Sequence, residues 1–376
     1  MTNYSQTART LIYLLSCAVN EKECGRKPGE TELGGLYSLA KQHGLSAAVA
    51  FALEGAGISE RRFEQARLKA KRKLGLFDIE RVKVYQRLNE AGIRFLPLKG
   101  IVMKDYYPRY GMREMSDNDI LCDSSRMAEV REIMESLGYT CEHYGKWNHD
   151  TYQKPPTLVF EMHHSLFVQG EMPAFDRYYA GVFDRLIHRD GCEYAFSDED
   201  FYLYLLAHGY KHFSHNGTGL RFLLDIYVYL QTHPGMDSDR IARELEKLGL
   251  TEFEQRSREL AVKLFGFGEL DDRDREWLTH FMDSSLYGSV RQGEYNMLTR
   301  QLKGRDTKSA KRKYLFDRVF LRGEALKKEY PFFARHRCLL PFLYLYRPFK
   351  GLFTHPKGIV HEIKNVLRYR SLKNKG

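Results

Sequence analysis

The chain has little cysteine for its length, no long apolar run and no internal repeat. Its six cysteines in 376 residues (Cys17, Cys24, Cys122, Cys141, Cys192 and Cys338) are scattered, with no C-x-x-C pair. That argues against a disulfide framework and reads as free thiols in a reducing cytoplasm. No stretch approaches the roughly 18 apolar residues of a membrane-spanning helix. The closest, Cys338 to Tyr346, is too short, so a protein that is soluble or peripheral to the membrane is expected. The apolar run from Leu11 to Val19 reaches Cys17, as a lipoprotein signal would. It is short, however, with only Arg9 upstream and bulky Leu15 where a small residue belongs, and it reads as an amphipathic first helix.

What is present is ordinary for a globular chain: 43% hydrophobic and 29% charged residues. The length predicts two or three packed units. The net charge of +10 is unevenly placed. From Arg300 onward there are 21 Lys and Arg against 5 Asp and Glu, a net +16, while the preceding residues hold 38 against 44, a net −6. Basic groups there (Lys311, Arg312, Lys313, Arg335, Arg337, Arg347, Lys350) alternate with aromatic ones (Tyr314, Phe316, Phe332, Phe333, Phe342, Tyr344, Tyr346, Phe349, Phe353). The pattern suits an anionic membrane surface and, less well, nucleic acid. Packed aromatics beneath solvated charges give the same pattern.

Four regions follow from the periodicity. Residues 1–88 read as helices (Arg9–Val19, Leu33–His43, Ser46–Leu53 and Ser59–Asn89). Residues 89–196 change period: a strand over Ile93–Leu98, a turn at Lys99-Gly100, a helix from Ile101 to Tyr107, a strand over Asp117–Cys122, and a helix to Leu137. Strands at Tyr139–His143 and Leu158–Leu166 follow, with a polar loop containing Pro155-Pro156 between them. Residues 197–299 are helical again, and 300–376 form the basic, aromatic-rich region. The class is α+β.

On a strand, side chains alternate between faces, so Asp117 and Asp119 point one way and Asn118 the other. Two carboxylates side by side repel unless a cation joins them, and a hard ion such as Mg2+ or Mn2+ is the natural partner. A polar loop–strand junction is the plainer reading of such a pair. Upstream, Lys99-Gly100 sets a cation and a flexible backbone at a strand-to-helix junction suited to phosphate. Downstream, Glu161 interrupts an apolar strand on the face of His163, where a carboxylate needs a reason to be. Together these parts fit phosphoryl-type chemistry. Asp117, Asp119 and Glu161 would be metal ligands and catalytic groups, with Glu161 as ligand or general base. Lys99, Gly100 and Arg113 would grip the triphosphate; Arg109 and Arg113 lie in the loop just before the aspartates, where plain surface charge is an equal reading for both.

His208 and His212, four apart on a predicted helix, raise a zinc hydrolase as a rival, with His163-His164 as further ligands. Gly209 stands where the zinc-protease helix carries its glutamate, so that motif is absent. His163, His208 and His212 are placed instead as nucleotide or acceptor contacts, or as structural histidines.

The segments Leu96-Pro-Leu-Lys-Gly, Tyr107-Pro, Gly111-Met-Arg-Glu-Met-Ser-Asp-Asn-Asp-Ile-Leu and Glu161-Met-His-His-Ser-Leu resemble the signature of the uncharacterised nucleotidyltransferase family within the polymerase-beta superfamily. A weaker likeness runs through His208, His212, Arg221 and Asp225, so that Leu88 to Gln231 is covered. The resemblance implies a minimal nucleotidyltransferase core flanked by helical regions, with two aspartates and a third acid binding metal. It implies transfer of a nucleoside monophosphate from a nucleoside triphosphate to an acceptor hydroxyl. Lys99-Gly100 departs from the Gly-Ser or Gly-Gly of the wider superfamily, so the phosphate grip differs in detail. A non-catalytic nucleotide sensor on the same core is the alternative. Retention of all three acids favours an enzyme.

Overall fold

The computed structural model describes residues 6–285 and parts of 309–347. One compact unit takes Met1–Tyr210 with Gly219–Leu286, and a second takes Lys211–Thr218 with Tyr287–Gly376.

In the first unit, helices α1 (Gln6–Val19), α2 (Glu30–Gln42), α3 (Ser46–Gly55) and α4 (Arg61–Glu90) lead into the sheet. The 30-residue α4 starts where the Glu60 carboxylate caps the Phe63 N–H. It buries Phe63 near its start and then Leu74, Phe77, Arg81, Val84 and Leu88 at three- and four-residue spacings. Strand β1 (Phe95–Pro97), helix α5 (Gly100–Met103), strand β2 (Asn118–Cys122) and helix α6 (Met127–Ser136) come next. Strands β3 (Thr140–His143), β4 (His149–Lys154) and β5 (Leu158–His163) complete a five-stranded sheet of order β1-β2-β5-β4-β3. The β2–β5 pairing is parallel and the others antiparallel.

The sheet has unlike faces. One is apolar: Phe95, Ile120, Cys122, Tyr152, Phe160 and Met162 join Phe77, Val84 and Leu88 of α4 and Val130 and Met134 of α6 in one core. Asn118 points to this side, where its Oδ1 accepts from the Arg81 guanidinium at 2.9 Å. The other face carries polar groups, because register sets Asp119 beside Glu161 and His149 beside His163. The fold is the expected α+β arrangement, with a mixed sheet and flanking helices.

After helix α7 (Pro173–Tyr178) and the short pair β6 (Ile187–His188) and β7 (Tyr194–Ala195) come α8 (Asp198–His215), α9 (Leu220–Thr232), α10 (Ser238–Leu248), α11 (Thr251–Phe265) and α12 (Asp272–Met282). Helix α11 returns to α1: Ser16 donates to the Leu264 carbonyl at 3.0 Å and Asn20 to that of Phe265 at 2.9 Å. Helices α1 and α11, far apart in sequence, are thus fastened to each other. Where α8 meets α9, a Cβ on Gly209 would stand 2.0 Å from Phe222 Cε2. Packing therefore demands a glycine at the position a zinc-protease glutamate would need.

The predicted polar loop around Pro155-Pro156 is a correction: its middle, His149–Lys154, is strand β4. Tyr152 supplies β4's only large apolar side chain, fully buried, so the segment has almost no apolar alternation to read.

In the second unit a short helix, α13 (Pro331–Arg335), is described, and the Arg347 guanidinium lies 5.6 Å from the centre of the Tyr330 ring. Phe332, Phe342 and Tyr346 are exposed. Lys311, Tyr314, Phe349, Lys350 and Phe353 of the basic–aromatic pattern lie outside the described residues. Among the described residues no helix is long and apolar enough to cross a membrane.

Candidate active site

The site is built on the polar face of the sheet, where β1, β2, β5 and β4 lie side by side. Asp119 is 3% exposed, and two donors converge on its Oδ1: Lys99 Nζ at 2.6 Å and His163 Nε2 at 3.0 Å. Glu161, two residues before His163 on β5, has its Oε2 3.6 Å from His163 Nε2 and 3.9 Å from Lys99 Nζ. Its Oε1 lies 3.6 Å from His149 Nε2. Lys99 thus bridges two of the three acids.

Lys99 holds its position at a cost. Its φ of 46° and ψ of −116° fall in a region that non-glycine residues avoid, a strain of about 1–3 kcal/mol. Gly100 follows because a Cβ there would stand 2.6 Å from Met115 Sδ and 2.7 Å from Arg113 Nη1.

Asp117 sits just before β2 and keeps some exposure. The loop that presents it is fastened from several sides. Arg113 lies buried and bidentate on Asp225 of α9, at 2.9 Å through both Nε and Nη2, and Tyr107 donates to the same carboxylate at 2.7 Å. Glu114 accepts from the Ala47 N–H at 2.9 Å, and the Ser116 carbonyl accepts from Lys73 Nζ at 2.7 Å. Arg221 Nη1 donates to the Glu114 carbonyl at 3.3 Å. Arg113 thereby anchors the aspartate loop.

The charges explain the electrostatics. Burial and the neighbouring Asp119, with Glu161 adding to them, push the Asp117 carboxyl up to about 7 against the pull of Lys99 and Arg221. Burial would raise Asp119 too, but the Lys99 ammonium and the His163 ring hold it well below the usual carboxylate range. Lys99 is held above the ordinary lysine range, since Asp119 more than offsets its burial. Burial, then the adjacent His163, lowers His149 to about 4.

Several site groups were not anticipated from sequence. His149 belongs to the strand read as a loop, and its ring lies 4.9 Å from that of His163. Asn148 Nδ2 is 3.2 Å from His163 Nδ1. Tyr204 of α8 is 1% exposed, its hydroxyl has no hydrogen-bond partner among the described residues, and it feels the charges of Lys99, Asp119 and Glu161. Only β-forming Thr151 and Tyr152 hinted at β4, and nothing in an apolar helical run marks Tyr204.

Among the described residues, one grouping places three metal-ligand atoms within 4.8 Å of one another: His149, Glu161 and His163. His208 and His212 are not in it. His208 is half-buried on α8, its ring 6.1 Å from that of Tyr204. His212 falls in the second unit. Arg109 pairs with Glu21 at 3.1 Å on the surface.

A family model described as an uncharacterised nucleotidyltransferase matches residues 29–266, a span that contains every site residue named above except the surface partner Glu21. Comparison with curated proteins and with solved structures returned no match. With most of the chain inside the matched span, and with its paired aspartates and third acid on one sheet face, the protein belongs to that nucleotidyltransferase family.

Proposed function

We propose that the chain transfers a nucleoside monophosphate from a nucleoside triphosphate to an acceptor hydroxyl. The acceptor oxygen bonds to the α-phosphorus, the bond from that phosphorus to the β-phosphate oxygen breaks, and pyrophosphate leaves. The observation that carries this reading is the convergence of Asp119, Glu161 and Lys99 beside Asp117 on one strand-bounded face.

The donor set fits a hard divalent cation. Asp117, pushed up to about 7 by burial and its carboxylate neighbours, marks more negative charge than Lys99 neutralises, and oxygen donors suit Mg2+ or Mn2+. Asp117, Asp119 and Glu161 would hold the ion. When bound, it neutralises charge on the phosphates and makes the acceptor hydroxyl more acidic. Lys99, released from Asp119, bonds to a phosphate oxygen instead, and Glu161 takes the acceptor proton. Anchored by Asp225, Arg113 keeps the aspartate loop in place throughout.

A binding-only role has one observation in its favour: the Lys99 ammonium already sits 2.6 Å from Asp119, as it would in a site that never loads a metal. The two readings separate in one experiment. The purified chain is incubated with each of the four nucleoside triphosphates and Mg2+ or Mn2+, and pyrophosphate release and nucleotide binding are measured together. Metal-dependent release supports transfer, and binding without release by any metal supports the sensor.

A further inference from the structure

We infer that His163 is a positioning residue for Asp119 and not a metal ligand, and that Asn148 sets it in that role. The inference rests on the reading that Asp119 binds the catalytic cation.

Asn148 is 5% exposed. Its Nδ2 donates to the Ser165 carbonyl at 3.0 Å and approaches that of Leu166 at 3.4 Å. Those carbonyls can only accept, so the atom facing them is the amide nitrogen. The same nitrogen lies 3.2 Å from His163 Nδ1. An N–H2 group can only donate, so His163 Nδ1 accepts and carries no proton. In the neutral ring the proton is then on Nε2, which donates to Asp119 Oδ1 at 3.0 Å. A ring protonated at Nδ1, neutral or charged, would set two donors against each other where His163 is 3% exposed.

Two consequences follow. First, Nε2 spends its proton on Asp119 and has no lone pair to offer, so His163 is not a ligand in the grouping it forms with His149 and Glu161. Second, Lys99 and His163 both bond to Oδ1 of Asp119. Among the described residues no hydrogen bond ends on Oδ2, which is the oxygen left for a cation. His163 fixes the carboxylate's rotation so that this oxygen is presented, as an outer-shell partner does.

The test uses the full chain with 15N-labelled histidine and needs no metal at its first stage. Long-range proton–nitrogen correlation, with the His163 signal assigned by its loss in H163Q, should show a protonated Nε2 and an unprotonated Nδ1. The reverse pattern overturns the inference whatever the protein catalyses. Mn2+ binding, followed by the resonance of the free ion, is then compared among wild type, H163A and H163Q. The glutamine can donate its amide N–H to Oδ1. H163A should bind Mn2+ about 10–100-fold more weakly and H163Q within about threefold of wild type. Equal losses in both variants would make His163 a ligand, and wild-type binding by H163A would leave it no role toward the metal; either overturns the inference. Failure of the wild-type protein itself to bind Mn2+ would sink the underlying nucleotidyl-transfer reading, and with it the role toward metal.

Discussion

Replacing Asp225 by alanine probes the anchor of the aspartate loop. The Arg113 and Asp225 side chains are 7% and 6% exposed, and three hydrogen bonds of 2.7–2.9 Å end on the Asp225 carboxylate. Removing that carboxylate leaves the guanidinium buried without its counter-charge, which costs about 3–5 kcal/mol. For a unit of this size the melting temperature should fall by roughly 10 °C. Asp117 also acts electrostatically on Arg113, so the freed guanidinium should turn toward it and the loop should lose its geometry. Activity should therefore fall even at temperatures where the variant is folded. Differential scanning fluorimetry with urea titration reads the stability. An apolar pair, Arg113→Met with Asp225→Leu, removes both charges and should recover more than half of the loss. Tyr107 loses its partner in both backgrounds, so its contribution cancels in that comparison. A loss below about 1 kcal/mol for Asp225→Ala, or a double variant no more stable than the single, would refute the reasoning.

Three further outcomes are expected. Buried His43 accepts the Leu220 N–H at 3.2 Å on Nδ1, and burial lowers it from 6.5 to about 4. Between these values the unfolded chain binds a proton that the folded one does not, so stability falls as pH drops through this window. The loss should reach about 3 kcal/mol by pH 4, and urea titrations should show a flatter profile for His43→Phe. Gly209→Ala should cost more than 1 kcal/mol despite alanine's better helix propensity, because Phe222 is stacked between Phe253 and Phe281 and has little room to withdraw; an unchanged melting temperature would contradict the close crossing. Tyr204→Phe removes a buried hydroxyl without a partner among the described residues, so it should hold or raise stability by about 1 kcal/mol. If that hydroxyl contacts bound substrate, KM or kcat should worsen in the same variant.

Much of the candidate site's sheet face was legible because strands encode it locally. The Asp117-Asn118-Asp119 alternation assigns two acids to one side and the Arg81-bound asparagine to the other, and Glu161 and His163 repeat the two-residue spacing. The return to helices after residue 197 was readable too, and α8 to α12 fill that stretch as far as Met282. What was hidden depends on long-range pairing. Nothing near Arg113 in sequence reveals Asp225, 112 residues away. Arg113 reads as a phosphate contact until its partner is seen. Strand β4 escaped because one buried tyrosine is a poor alternation signal, and His149 and Asn148 escaped with it. Gly209 looked like a missing catalytic glutamate, and only the Phe222 ring supplies its reason.

The central claim is tested most directly by pyrophosphate release from a nucleoside triphosphate in the presence of Mg2+, compared between wild type and Asp119→Asn with folding checked by circular dichroism. The account predicts metal-dependent release by the wild-type chain that falls by at least about a hundredfold in the variant, because the substitution removes the anionic ligand that His163 orients. Equal release by the two proteins would contradict it.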